Sequence, residues 1–284
     1  MTETETETEA KTKTIFITGA SSGIGRATAH YFHARGWNVV ASMRSPDKAD
    51  ELADMDRVLV TRLDVLDQES IASARDAAYA RFGAVDALVN NAGYGAYGPL
   101  EAFPIERIER QFGTNVIGLL AVTKAFLPEL RARRAGVVVN ISSIGGRMTF
   151  PLGTLYHGTK FAVEGLSEAL HYELEAFGVR VKIVEPGMIK TDFGGRSFDF
   201  CNDESLPEYQ ATVAKLFAYW GKAAASPSQP ELVAEVIWTA VHDQTDRLRF
   251  RAGADAEALL SKRAEQDDAS FLGELKAQIG LEPG

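Results

Sequence analysis

The stretch TIFITGASSGIG, residues 14–25, constrains this chain more than any other. A short β-branched run ends at Gly19, and a helical pattern begins within the next few positions. Glycines fall at 19, 23 and 25, the spacing G-x-x-x-G-x-G. A strand that turns at once into a helix needs positions without a Cβ. Gly19 allows the tight turn, Gly23 lets the backbone approach a ligand, and Gly25 lets the helix pack close to the strand. The first N–H groups of such a helix point at the turn and carry the positive end of its dipole, which favours a phosphate. Ser21 and Ser22 add hydroxyl donors. A nucleotide-binding turn is the reading; a glycine-rich turn without a ligand is the plainer alternative.

Further along, apolar runs alternate with amphipathic stretches. Strand-like segments cover 37–43, 57–65, 85–93, 136–142, 179–187 and 247–253. Helical patterns cover about 23–36, 68–82, 105–134, 154–178 and 230–242, with a helical tail behind the last strand. Pro128 is expected at a kink or in the last turn of its helix. Several strands are too apolar to face water, which implies a parallel sheet covered on both faces. The pattern predicts an α/β fold: one doubly wound, Rossmann-type domain over 14–284, with about seven strands and right-handed crossovers. Residues 192–228 read as a variable segment and a substrate lid. Residues 1–13 alternate Thr and Glu with no apolar face, and a disordered tail is expected there.

Composition narrows the function. The net charge is −9 and the pI about 5.2, so nucleic-acid binding has no electrostatic support. A single cysteine, Cys201, precludes an intrachain disulfide and fits a reducing, cytoplasmic setting. The five histidines show no metal-ligand spacing, and His30 and His33 read as a structural or solvated helix pair. No signal peptide is evident, and no apolar run approaches the ~20 residues of a membrane span.

Residues 156–160 read YHGTK. The i, i+4 spacing puts Tyr156 and Lys160 on one helix face. A free phenol, with a pKa near ~10, is a poor base at neutral pH, and a neighbouring ammonium favours the phenolate. Lowering it to about 7 needs roughly 4 kcal/mol of differential interaction. The spacing alone is common and does not distinguish a catalytic pair from two surface residues.

Taken in order, the motifs resemble those of the classical short-chain dehydrogenase/reductase family over about residues 14 to 192. TGASSGIG (18–25) is similar to the family's TGxxxGxG, and LDV (63–65) to its adenine-contacting segment. NNAG (90–93) is similar to the motif closing the fourth strand, and ISS (141–143) precedes YHGTK. PGMIKT (186–191) is similar to PGxxxT. Together with TGASSGIG and NAGYGAYGPLEA, ASMR (41–44) looks most like the steroid- and retinol-type branch.

The resemblance implies a catalytic set of Asn115, Ser143, Tyr156 and Lys160. Ser143 rather than Ser142 stands thirteen residues before the tyrosine, as in the family. Tyr156 would be the general acid in carbonyl reduction and the base in alcohol oxidation. Lys160 would hold the nicotinamide ribose and favour the phenolate. Ser143 would hold the substrate oxygen, and Asn115 would position a water in a proton relay. The implied cofactor contacts are Gly19, Ser21, Ser22, Gly23, Ile24, Gly25, Arg44, Asp64, Val65, Asn91, Ala92, Gly93, Tyr156, Lys160, Pro186, Gly187, Ile189 and Thr191. Asp64 would face the adenine, and Thr191 the carboxamide. Asn90 and Asn91 read as supports of the cofactor wall. NAD users usually carry an acid at the end of the second strand. Here Met43 and Arg44 stand there, so NADP(H) is preferred and NAD(H) remains possible; Ser42 or Ser45 could add a phosphate contact.

The implied substrate is a hydrophobic small molecule, a ketone, aldehyde or secondary alcohol, in a pocket and under a lid carrying aromatics such as Tyr94, Tyr97, Phe150, Phe193, Phe198, Phe200, Phe217 and Trp220. These aromatics could equally pack the lid on its own domain, and His157 could touch substrate or stand on the helix surface. The family commonly forms homodimers or homotetramers through its two long helices. A nucleotide-sugar epimerase and a non-catalytic dinucleotide sensor are the competing readings. The short C-terminal part and the glycine spacing argue against the first, and the complete tetrad against the second.

Overall fold

The structure is a computed structural model that describes residues 12–191, 197–223 and 227–281. Most of the expected Thr/Glu tail, part of the expected lid and Phe193 lie outside the described residues. Seven strands form one parallel sheet: β1 (Thr14–Thr18), β2 (Asn38–Met43), β3 (Val58–Arg62), β4 (Ala87–Asn90), β6 (Gly136–Ile141), β7 (Val179–Pro186) and β9 (Arg249–Ala252). Their order is β3-β2-β1-β4-β6-β7-β9, reversing direction of growth between β1 and β4. Registers such as Phe16 with Val40 and Leu88 keep like residues on one face.

The strands are apolar on both faces because both are covered. On one side Ile15, Ile17, Val39, Val89 and Val139 pack with Phe32 and Ile237. These come from α1 (Gly23–His33) and α7 (Pro230–His242). On the other side Phe16, Val40, Leu88, Val138 and Val181 pack with Ile71, Phe126, Leu130 and Leu174. These belong to α2 (Gln68–Phe82), α4 (Leu119–Arg133) and α5 (Thr154–Glu175). Asp67 starts α2 by accepting from the Glu69 and Ser70 amides, and Gly83 ends it in the left-handed conformation.

Two local features depart from the sequence reading, and the expected helical tail is present. The helical region expected over 105–134 is α3 (Ile105–Phe112), a π-helical turn over Gly113–Gly118, and α4. Pro128 sits inside α4, and the irregularity lies around Asn115 instead. A short strand, β5 (Gly95–Tyr97), pairs in parallel with β8 (Phe198–Phe200), so the segment beyond residue 197 is tied to the end of β4. The tail resolves into α8 (Ala254–Glu265) and α9 (Asp268–Ile279), with α6 (Pro207–Ala223) completing the set. Phe271, Leu275 and Ile279 of α9 pack on Ile144 and Met148, just beyond β6. No helix among the described residues is long and apolar enough to cross a membrane.

Candidate active site

The glycine turn leaves β1 at the point where the strand order reverses, the place where open α/β sheets bind ligands. Gly19 and Gly23 have φ of +69° and +53°, which only glycine adopts without strain. At Gly25 a Cβ would fall 2.4 Å from the Gly19 carbonyl, so α1 sits as close to β1 as a glycine permits. Thr18 Oγ1 accepts from the Asn91 and Ala92 amides at 3.0 Å each. Asn91 Nδ2 returns bonds to the Thr18 and Gly19 carbonyls at 2.9 and 3.1 Å. Asn91 is therefore a brace of the turn, while Asn90 is buried and donates to Thr123 and Asn140 at 2.8 Å.

A cleft of about 990 Å³ opens beside this turn. Ser21, Ser22, Gly23, Arg44, Ser45 and Thr191 line it. A dinucleotide fits this site: glycines leave the cradle clear, α1 aims its first amides into it, and cations stand at its rim. Arg26 is engaged by Glu51 at 2.7 Å, whereas Arg44 is exposed. Ser42 does not reach the cleft, because it is fully buried and its hydroxyl donates to the Ile17 carbonyl at 2.9 Å. Asp64 stands at the end of β3 and accepts from the Leu66 amide at 3.0 Å. Val65 is buried, and a Cβ at Gly118 would meet it at 2.7 Å.

The loop from Pro186 is held from a distance. The Asp255 carboxylate accepts from the Met188 amide at 2.6 Å. A Cβ at Gly187 would strike the same carboxylate at 2.2 Å. Ile189 and Ser228 form an isolated bridge, and Thr191 packs over Gly23, where a Cβ would lie 3.2 Å from its methyl group. The sequence reading gave Asp255 no role. Its partner is 67 positions away and becomes adjacent only because β9 lies beside β7.

Ser143, Tyr156 and Lys160 come together at the ends of β6 and α5. The Tyr156 phenol is hydrogen-bonded to the Ser143 side chain. Ser143 Oγ also accepts from the Gly145 amide at 3.0 Å. Lys160 Nζ donates to the Ile141 carbonyl at 2.8 Å and stands 5.9 Å from the centre of the Tyr156 ring. Burial pushes the phenol up to about 12, with the Ser143 bond opposing it. Burial pulls Lys160 down to about 8, opposed by the nearby Glu164 carboxylate. The protein's own groups thus favour a neutral phenol rather than the phenolate expected from the lysine. An acid is the form needed to give a proton to a carbonyl.

Asn115 sits on the π turn, 3% exposed. Its Oδ1 accepts from the Tyr94 amide at 3.1 Å, and its Nδ2 donates to the Tyr94 carbonyl at 2.8 Å and to Thr159 Oγ1 at 3.1 Å. The side-chain amide is committed to these partners. Gly93 leaves space for it, since a Cβ there would meet Oδ1 at 3.0 Å. Beside the phenol lies an aromatic box. The Tyr97 ring is 5.4 Å from Tyr156, 5.6 Å from Phe198 and 5.0 Å from Trp220. Phe200 and Phe217 extend it. His157 is 3% exposed, so it does not stand on the helix surface.

Comparison with known proteins agrees with this geometry. The model of the short chain dehydrogenase family matches residues 13–201. An uncharacterized oxidoreductase of Schizosaccharomyces pombe is 42% identical over 239 residues, covering 84% of this chain and all of that protein. Estradiol 17-beta-dehydrogenase 1 of Rattus norvegicus is 34% identical over 251 residues, 83% of this chain and 72% of that one. A short-chain dehydrogenase from Streptomyces avermitilis superposes with a TM-score of 0.80 at 34% identity, over 96% of this chain and 100% of that chain. ElxO with NADP bound gives a TM-score of 0.69 at 26% identity, over 84% and 97% of the two chains. A Burkholderia phymatum short-chain dehydrogenase/reductase in complex with NAD gives 0.77 at 25% identity, over 93% and 95%. With its parallel sheet, its glycine turn and similar structures of which one holds NADP and another NAD, the chain belongs to the short-chain dehydrogenase/reductase family and is an NAD(P)-dependent oxidoreductase.

Proposed function

We propose that the protein reduces a hydrophobic ketone or aldehyde with NADP(H), and runs the reverse oxidation, with Tyr156 as the general acid and base. The observation that carries this reading is the hydrogen bond between the Ser143 hydroxyl and the Tyr156 phenol, one helical turn from Lys160. A bound nicotinamide dinucleotide supplies the hydride chemistry. The chain's residues do the rest. Ser143 holds the carbonyl oxygen beside Tyr156, and the phenol gives it a proton as charge develops. Lys160, fixed by the Ile141 carbonyl, keeps a positive charge next to the ring. The box of Tyr97, Phe198 and Trp220 excludes water from that end.

The cofactor would lie in the cleft against Ser21, Ser22, Gly23 and Thr191, with Asp64 toward the adenine and Arg44 at a 2′-phosphate. The planar guanidinium suits a phosphate, and the residues at the end of β2 are Met43 and Arg44 rather than an acid, the first acid beyond them being Asp47. The aromatic box and the estradiol-dehydrogenase relative support an apolar substrate. The single cysteine supports a cytoplasmic setting.

Ile117 at 59%, Leu120 at 36% and Phe161 at 46% exposure lie on the π turn, α4 and α5, an apolar face that supports a homodimer or homotetramer. Light scattering of the purified protein tests this, and a monomer at micromolar concentration refutes it. A panel of ketones and aldehydes with NADPH and NADH, followed at the nicotinamide absorbance, tests the reaction. A Tyr156→Phe variant as active as wild type refutes the role of the phenol.

A further inference from the structure

His157 follows Tyr156 on α5, and both of its ring nitrogens are bonded. Nδ1 lies 3.0 Å from the Gly145 carbonyl, which can only accept. Nε2 lies 2.9 Å from the Phe150 amide, which can only donate. The Tyr97 hydroxyl approaches the same Nε2 at 3.4 Å. These partners admit one form of the ring: neutral, with its proton on Nδ1. Burial works in the same direction, pulling the imidazole down to about 4.

Backbone has been cleared to admit it. A Cβ at Gly153 would come within 2.4 Å of Cδ2, and one at Gly145 within 2.7 Å of Nδ1. Gly145 and Phe150 both belong to the connection that carries Ser143 from β6 to α5. Gly145 is held twice: its amide donates to Ser143 Oγ at 3.0 Å, and its carbonyl accepts from His157. Tyr97 also packs on Tyr156, with ring centres 5.4 Å apart.

We propose that His157 is a positioning residue that sets the Ser143 hydroxyl against the Tyr156 phenol through Gly145. The inference rests on the roles of Ser143 and Tyr156 given above. Because His157 and Tyr156 are consecutive on one helix, the Ser143 connection cannot slide along α5 without breaking a bond to the imidazole. Displacing a reacting group by ~1 Å can cost about a hundredfold in rate, so a staple at this point matters for turnover.

Two measurements test it. Nitrogen resonances of ¹⁵N-histidine protein at pH 7 should show His157 neutral with the proton on Nδ1; a proton on Nε2, or an imidazolium, overturns the staple. Variants then divide it. His157→Asn keeps a donor near the Nδ1 position, His157→Gln keeps an acceptor near the Nε2 position, and His157→Phe keeps only the ring. In folded His157→Gln the Gly145 amide resonance should shift and its exchange quicken, and an unmoved Gly145 amide overturns the proposal. With NADPH and 4-nitrobenzaldehyde, kcat should fall about ten- to hundredfold in the Gln and Phe variants, which lose the donor to Gly145, and by less in the Asn variant, with KM for NADPH unchanged. Folded Gln and Phe variants with wild-type kcat overturn it. Tyr156→Phe is the control: full activity there refutes the role of the phenol, while the Gly145 and histidine resonances still decide the staple.

Discussion

Asn115 Nδ2 donates to Thr159 Oγ1 at 3.1 Å, and Thr159 donates in turn to the Tyr156 carbonyl at 2.7 Å. One hydroxyl thus ties the π turn to the helical turn that carries the phenol. Both residues are buried, so the bond is not shared with bulk water. Thr159→Val keeps the shape and leaves one N–H of the Asn115 amide without its partner, the other still donating to the Tyr94 carbonyl. A buried donor left unpaired costs about 1–3 kcal/mol, and Thr159→Ser should recover most of it. Urea unfolding measures both, and a valine variant as stable as wild type would show the link to be incidental.

Lys160 trades stability for charge. Its folded pKa of about 8 lies below the ordinary 10.5, so the unfolded chain binds more protons between those values. Keeping the ammonium in the fold therefore costs stability below pH 8, and the cost disappears as pH rises towards 10.5. The full penalty is up to about 3 kcal/mol. Lys160→Met should gain stability relative to wild type at pH 7, lose that advantage by pH 10, and lack carbonyl reduction. A stability difference independent of pH would argue against a strained ammonium.

What the sequence made legible divides by range. The strand-to-helix turn at Gly19, Gly23 and Gly25, the limits of α2, and the union of Ser143 with Tyr156 and Lys160 are local or carried by recognisable motifs. The parallel sheet followed from strands such as Val137–Val139, too apolar for a solvated face. What stayed hidden depends on neighbours distant in sequence. Asp255 finds Met188 only when β9 pairs with β7. β5 is three residues long and exists because β8 lies beside it. The π turn at Asn115 has no periodicity signal, since one extra residue per turn leaves the helical pattern readable on either side. The burial of His157 stayed hidden because nothing in YHGTK shows that Gly145 and Gly153 have made room for its ring.

Glu185 precedes Pro186 and is 2% exposed. Burial, with Glu164 beside it, pushes its carboxyl up to about 7 against the pull of Arg147, Arg249 and Arg251. Arg249 gives it only a 3.9 Å contact, because that guanidinium is engaged by Glu164 at 2.8 Å. A folded pKa above the ordinary 4.5 means that the folded state holds the proton more tightly. Its contribution is present below pH 4.5 and is lost as pH rises through 7. Glu185→Gln should therefore gain on wild type between those values, by up to about 3 kcal/mol. Parallel melting curves at pH 4.5 and 8 check this, and equal differences at both would refute it.

Gly158 lies inside α5 with no positive φ to justify it. A Cβ there would sit 3.4 Å from the Phe112 ring of α3, an ordinary contact. Alanine favours a helix interior over glycine by up to about 1 kcal/mol. Gly158→Ala should therefore raise stability by about that much, in contrast to Gly25→Ala, whose Cβ would strike the Gly19 carbonyl. Loss of stability on Gly158→Ala would mean that Phe112 cannot be approached.

Arg44 decides the choice of dinucleotide if the 2′-phosphate lies where the cleft suggests. It follows the last residue of β2 and is exposed, while the neighbouring Arg26 is engaged by Glu51. A charge-assisted bond is worth about 1.5–3 kcal/mol, so Arg44→Asp should raise KM for NADPH roughly ten- to hundredfold. An acid at this strand end also suits the ribose hydroxyls, and NADH should gain. The exposed position makes misfolding of the variant a minor concern, so the ratio of kcat/KM for the two cofactors reads the effect directly. Unchanged NADPH kinetics in Arg44→Asp would place the phosphate elsewhere, with Arg26, Ser45 and Lys190 among the other groups of the cleft to test.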